Sequence, residues 1–194
     1  MHDTAEVDAP FAPLQPNEFG PGAEPASGGE LVLPVPPDAP PMPQTHPTLG
    51  QPSARWPYCD AGGAPMFWVL RFDKSDGSKE FRPLTVWSDA QGLHWRWKSV
   101  PPPWPLYNLD KLAGRPDAPV IICEGEKSAD AAAVIFQKSV AVTAPGGANA
   151  ADKADWSVLR GRKVLVWPDD DAPGLTYGRK VCAMLAALDS GQVR

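Results

Sequence analysis

Val120-Ile121-Ile122-Cys123-Glu124-Gly125-Glu126 and, about 40 residues on, Lys163-Val164-Leu165-Val166-Trp167-Pro168-Asp169-Asp170-Asp171 share one pattern: an apolar run that ends in acids. A short continuous apolar run is what a strand buried on both faces requires. Between the two lie an Ala-rich helical stretch at about 128–137, a second short strand at Val140-Ala141-Val142, and the loop Pro145-Gly146-Gly147-Ala148-Asn149. A third helix is predicted from Gly174 to Leu188, and Asn108 is placed to cap a short helix ending at Gly114. Strands separated by helices imply a parallel sheet with right-handed crossovers. The predicted class is α/β.

The acids stand where such a sheet puts its chemistry. Ligands of open parallel sheets bind in the crevice past the carboxyl ends of the strands. Glu124 follows the first strand, and Asp169 and Asp171 follow the third. Carboxylates converging there repel one another unless a cation lies between them. Hard oxygen ligands suit Mg²⁺ (or Mn²⁺), which keeps waters and completes its shell with substrate phosphate. The two-residue spacing of Asp169 and Asp171 turns both side chains to one side of a strand exit. The plainer reading is that acids after strands cap helices, and Asp171, just before Ala172-Pro173-Gly174, invites it.

Upstream, residues 55–107 carry six of the eight tryptophans, and nine bases meet six acids between Arg55 and Arg115. Met66 to Asp73 and Glu80 to Trp87 read as strands joined by the Lys74-Ser75-Asp76-Gly77 turn, with Pro83 marking an edge or bulge. Leu93 to Lys98 alternates with period two, placing Trp95 and Trp97 with Leu93 on one face and His94, Arg96 and Lys98 on the other. A small antiparallel meander is expected, ended by the prolines at 101–103. Basic residues beside aromatics suit single-stranded nucleic acid, with Trp stacking on bases and Arg or Lys on phosphates. A small β subdomain also needs bulky core residues, which accounts for the same tryptophans without a ligand.

Farther out, residues 1–54 hold seven acids, no Lys or Arg and 13 of the 25 prolines. Their few apolar residues lack a period, so the segment is expected to be disordered. The net charge of −5 therefore misdescribes the rest, which carries 16 acids against 18 bases. Cys59, Cys123 and Cys182 are scattered and the three histidines do not cluster, so no zinc site is expected. Sparse cysteine, no signal peptide and no apolar run near the ~20 residues of a membrane span lead to the expectation of a soluble cytoplasmic protein without a membrane partner.

The ordered pair, Glu124-Gly125 after one strand and Asp169-Asp170-Asp171 after a later one, resembles the signature of the TOPRIM domain. That fold is shared by bacterial-type primases, topoisomerases and some nucleases. The loop Thr143 to Asn149 is similar to the glycine-containing loop of phage and plasmid primases. Tyr58 to Gly63, Arg71-Phe72 and Gly77 to Phe81 resemble the small basic subdomain that precedes TOPRIM in phage primase–helicases. The resemblance divides the chain into a disordered leader (1–54), a basic Trp-rich β subdomain (55–107) and a TOPRIM-like domain (108–194), the last stopping about where another strand would begin. It implies Mg²⁺-dependent RNA primer synthesis on single-stranded DNA from NTPs, in replication of a phage, plasmid or other mobile element. It makes Glu124 the general acid/base or metal-organising residue and Asp169 and Asp171 metal ligands. Arg71, Lys79, Arg82, Lys127, Gly146 and Gly147 would contact nucleic acid or nucleotide, and Trp95 and Trp97 could stack on bases. A helicase or a zinc-binding module would come from elsewhere in the same or another chain, since neither a P-loop nor such a module is present.

The pattern also departs from the family. Many such primases have an Asp four residues after the Glu; here that position is Ser128, and Asp130 lies two later. Two other readings stand beside the primase: a TOPRIM metal-dependent nuclease, and a non-catalytic nucleic-acid-binding module. A topoisomerase is disfavoured, because Tyr58, Tyr107 and Tyr177 lack the context of a nucleophile.

Overall fold

The structure is a computed structural model that describes residues 28–147, 150–188 and 192–193. It is a mixed α/β chain with one antiparallel and one parallel sheet. The antiparallel sheet is built from β1 (Glu30–Val32), β2 (Ala54–Cys59), β3 (Pro65–Asp73), β4 (Lys79–Asp89) and β5 (Gly92–Arg96). Helix α1 (Leu109–Gly114) follows. Then come β6 (Val120–Ile122), α2 (Glu126–Ile135), β7 (Val140–Val142), β8 (Lys163–Val166), α3 (Ala172–Ala187) and the two-residue β9 (Gln192–Val193).

The parallel sheet has the order β7-β6-β8-β9. From β6 the chain crosses to one side and then returns past it to the other, so the topology switches between β6 and β8. The short strands alternate between two cores. Val120, Ile122, Val142 and Val164 face α3 through Tyr177, Val181 and Leu185. Ile121, Cys123 and Ala141 face Ala129 and Ala132 of α2. Helices on both faces explain why β6 and β7 are apolar throughout, whereas β8 buries Val164 and leaves Leu165 exposed.

Asn108 is at the N-cap position of α1, as its place in the sequence suggests, but not as a side-chain cap. It adopts φ 63°, ψ 31° and makes no capping bond. Its Nδ2 donates instead to the Ala141 carbonyl at 2.9 Å. A buried amide finds its acceptor in β7, and Asn tolerates the left-handed region better than most residues.

In the antiparallel sheet, β4 is long enough to serve several neighbours. Residues 79–84 pair with β3, while 85–89 pair with β5 and 86–88 with β1. Pro83 therefore sits where β3 alone flanks β4, a position that accepts a residue without an N–H. The expected disordered leader needs correction from Gly28 onward. β1 joins the sheet, Pro40 O accepts from Trp95 Nε1 at 2.7 Å, and Val35 N–H donates to Pro65 O at 2.7 Å. Met42 and Leu49 pack over Leu70, Phe72 and Leu84. Proline-rich chain has little backbone entropy left to lose, so a few apolar anchors suffice to dock it. Residues 1–27 lie outside the described residues.

The two sheets are not separate bodies. Trp56, Tyr58, Phe67 and Val69 of β2 and β3 share one apolar cluster with Ile121, Cys123 and Ala129. No helix among the described residues is long and apolar enough to cross a membrane.

Candidate functional site

Three chain exits meet at the carboxyl edge of the parallel sheet. Trp167 N–H donates to Ile122 O at 2.8 Å, extending the β6–β8 pairing by a residue. Glu124 and Asp169 each lie two positions beyond that bond and so flank the switch point, where two strand ends diverge and leave a crevice. The third exit follows β7. There Gly146 and Gly147 take φ 78° and 60°, a region glycine enters without steric cost. A Cβ on Gly147 would come within 3.7 Å of the Glu124 carbonyl oxygen, so this loop runs directly beside the acid.

Glu124 is only 2 % exposed, and its Oε2 is buried with no hydrogen-bond partner among the described residues. Burial, reinforced by the charges of Asp169 and Asp171, raises its pKa; a backbone N–H bond from Asp169 opposes the shift in part. The neighbouring Cys123 thiol is pushed up to about 11, first by burial and then by Asp169. An orphaned buried carboxylate oxygen is costly. A cation, a proton or an added donor would offset that cost.

Asp169 and Asp171 are exposed. Asp171 does cap a helix: its Oδ1 accepts the Gly174 N–H at 2.7 Å. The second Oδ remains, so capping and ligation need not exclude each other. Gly174 is required here for another reason. A Cβ at that position would fall 2.2 Å from the Asp169 carbonyl oxygen, so only glycine lets the first turn of α3 approach the Asp169 backbone. Among the described residues no group of three His, Cys, Asp or Glu forms a ready-made metal site. A divalent ion held here would have to draw further ligands from water and substrate phosphate. Mg²⁺ does so routinely, and the unpartnered Glu124 oxygen fits its preference for hard donors.

The bases expected to meet phosphate are distributed differently from the expectation. Arg71 and Lys79 share a face of the β3–β4 hairpin, since Arg71 pairs with Phe81 and Lys79 with Asp73 in register. Arg71 is forked onto Asp73, with its Nε and one Nη at 2.9 and 2.7 Å from Oδ1. Arg82, opposite Leu70, turns to the other face. There it pairs with Glu80 and its charge lowers the pKa of His46, second to burial. The three therefore do not form a single phosphate cradle. Lys127 is exposed on the first turn of α2, close in sequence to Glu124 and at the end of the helix that favours anions.

Trp95 and Trp97 sit in the antiparallel sheet's outer core rather than on an open platform. Trp95 meets Trp68 edge-on at 5.5 Å, and Trp97 lies 4.6 Å from the His46 ring and 6.1 Å from Phe72. The segment that covers them, residues 40–49, could not be foreseen as a lid from composition. On the opposite face, the Trp87 ring has Arg96 at 5.1 Å and Lys98 at 4.6 Å.

Two acids of α2 make bonds that the sequence reading did not foresee. Glu126 is 6 % exposed, and its Oε1 accepts from the Tyr58 hydroxyl at 2.8 Å. Asp130 takes the Trp56 indole N–H on Oδ2 at 2.8 Å and the Tyr107 hydroxyl on Oδ1 at 2.9 Å. With both oxygens engaged, Asp130 is tied to the antiparallel half rather than to the crevice. The only sequence signal was the i, i+4 spacing of two acids; nothing in it names their aromatic partners.

Neither a protein-family model nor a curated protein matches the chain. Among solved structures, it is similar to a chain in the complex of bacteriophage T7 lagging-strand DNA polymerase with primase domains of two gp4 subunits bound to an RNA/DNA hybrid and dTTP. That similarity has a TM-score of 0.38 at 15 % identity, and covers 66 % of this chain and 68 % of the other. The functional reading accordingly rests on the residues of the crevice.

Proposed function

We propose that this chain is the core of a primase-like nucleotidyltransferase that joins ribonucleotides on a single-stranded DNA template. The observation that carries the proposal is the buried Glu124 carboxylate, with one oxygen unpartnered, set beside Asp169 at the strand switch point. A divalent ion, Mg²⁺ or Mn²⁺, would be held by Asp169 and Asp171 with Glu124, and supplies neutralisation of the triphosphate and activation of the attacking hydroxyl when bound. Glu124 itself, with one carboxylate oxygen unpartnered among the described residues, would take the 3′-hydroxyl proton. Gly146 and Gly147, in a loop that runs beside the main chain of Glu124, would contact the nucleotide, and Lys127 offers a cation at the same edge. Arg71 and Lys79 share one face and could track the template backbone, with Arg71 exchanging Asp73 for phosphate. Helicase and zinc-binding functions would belong to other segments or chains.

The test is Mg²⁺-dependent incorporation of labelled ribonucleotides on single-stranded DNA, with Glu124→Gln and Asp169→Asn beside the wild type. Removing a charged group from a site of this kind is expected to cost about 100-fold or more in rate. Synthesis that survives both substitutions sinks the proposal. Template cleavage without synthesis would assign the crevice to a nuclease, and binding without either reaction to a non-catalytic module.

A further inference from the structure

The acids at the start of α2 are held from outside their own domain. Glu124 is joined to α2 through Gly125 alone, in extended conformation at φ −147°, ψ 169°. The Gly125 carbonyl accepts from the Ala129 N–H at 2.9 Å, a bond that any helix start makes and that does not orient the helix on the sheet. Two of the fixing groups come from β2 and one from the connector before α1: Tyr58 bonds Glu126 in the first turn, and Trp56 and Tyr107 together bond Asp130 one turn later. Residues at i and i+4 lie on one helix face, so the three aromatic donors grip a single side of α2. Tyr58 is stacked on Phe67 at 4.6 Å and tilted against Tyr107 at 5.4 Å, so the hydroxyl is delivered by a packed ring. Trp56 and Tyr58 are two apart on β2 and share its inward face.

We infer that Tyr58, Trp56 and Tyr107 are positioning residues for Glu124. By clamping Glu126 and Asp130 they set the start of α2, and through Gly125 the placement of the Glu124 carboxylate against Asp169. This role rests on the nucleotidyltransferase reading of the same site. It also gives the antiparallel half a means of controlling the crevice, because a shift of β2 moves the acid.

The experiment compares wild type with Tyr58→Phe, Asp130→Asn and Asp130→Ala. Asn keeps a carbonyl acceptor for one of the two donors, whereas Ala keeps none. Hydrogen exchange by mass spectrometry, which needs no activity, is expected to show faster exchange across residues 124–130 in Tyr58→Phe and Asp130→Ala. The peptide spanning α3 should change little, and Asp130→Asn should lie between. In the incorporation assay, kcat is expected to fall roughly ten- to hundred-fold with KM for the nucleotide nearly unchanged, the signature of a misplaced catalytic group. If exchange at 124–130 is unaltered in Tyr58→Phe and Asp130→Ala, or rises equally in α3, the clamp is not a positioning device. If the wild type makes no primer yet exchange responds as expected, the catalytic reading fails while the clamp stands as the determinant of where Glu124 sits.

Discussion

Glu124 is the residue at which cost and function meet. A carboxylate with a buried, unpartnered oxygen is held at the expense of stability, and burial is the largest cause of its raised pKa. A group whose folded pKa lies above its unfolded value gives stability that is fully present below the unfolded pKa and is lost as pH rises through the folded one. In EDTA-containing buffer, wild-type unfolding free energy should therefore fall relative to Glu124→Gln, which carries no titrating group there, on going from pH 4.5, the ordinary value of a Glu, to about pH 7. Urea unfolding of both proteins at the two pH values checks this. A wild type that keeps pace with the variant across that range would show that Glu124 is not desolvated in solution. The sequence made Glu124 legible through its place after an apolar run. It could not show the missing partner, because that depends on what three separate chain exits leave around one oxygen.

At the scale of elements, α3 depends on a close approach. Its N-cap is Asp171, its first turn contains Pro173, and its third residue is Gly174. Pro near the start and an acid at the cap are ordinary helix-initiation signals and were readable as such. The role of the glycine was not, because it concerns contact with Asp169 rather than helix formation. Gly174→Ala should destabilise the fold by about 1–3 kcal/mol, the usual range for forcing an extra carbon into packed surroundings. It should also weaken divalent-ion binding, since Asp169 must give way. Differential scanning calorimetry and Mn²⁺ titration measure the two effects, and a Gly174→Ala protein with unchanged melting would contradict the seating of α3. Asn108 makes the same point in reverse. Its position before a helix was right, but its side chain answers to Ala141, across the fold, instead of the helix it precedes.

For the whole molecule, pairing changes from antiparallel to parallel between β5 and β6 without a gap in the core. The inner faces of β2 and β3 and the α2 face of the parallel sheet bury one another. The outer face of the antiparallel sheet is covered by residues 40–49. Removing residues 1–52, so that the chain begins at Ser53, is expected to uncover Trp95, Trp97 and Phe72. Met42 and Leu49 are only partly buried, so their loss alone should cost about 2 kcal/mol, against about 1.5–3 kcal/mol for each fully buried apolar side chain. Lower thermal stability and binding of a dye that reports exposed apolar surface would be the readout. A shortened chain that melts like the full one would show that residues 28–50 merely rest on the sheet.

By itself, the sequence determined the α/β class, the position of most strands and helices, and the three acids at strand ends. These follow from local pattern: apolar runs bounded by acids, two-residue alternation, and Gly or Pro at turns. Tertiary structure alone decided which of the remaining polar groups are partners and which are spare. It sent Arg82 to the face opposite Arg71, and left the two stacking candidates half-buried against a proline-rich segment. It also tied Glu126 and Asp130 to aromatics more than 20 residues away in sequence. The reason is physical. Period and propensity act within a few residues, whereas burial and hydrogen-bond satisfaction are settled between surfaces that only the folded chain brings together.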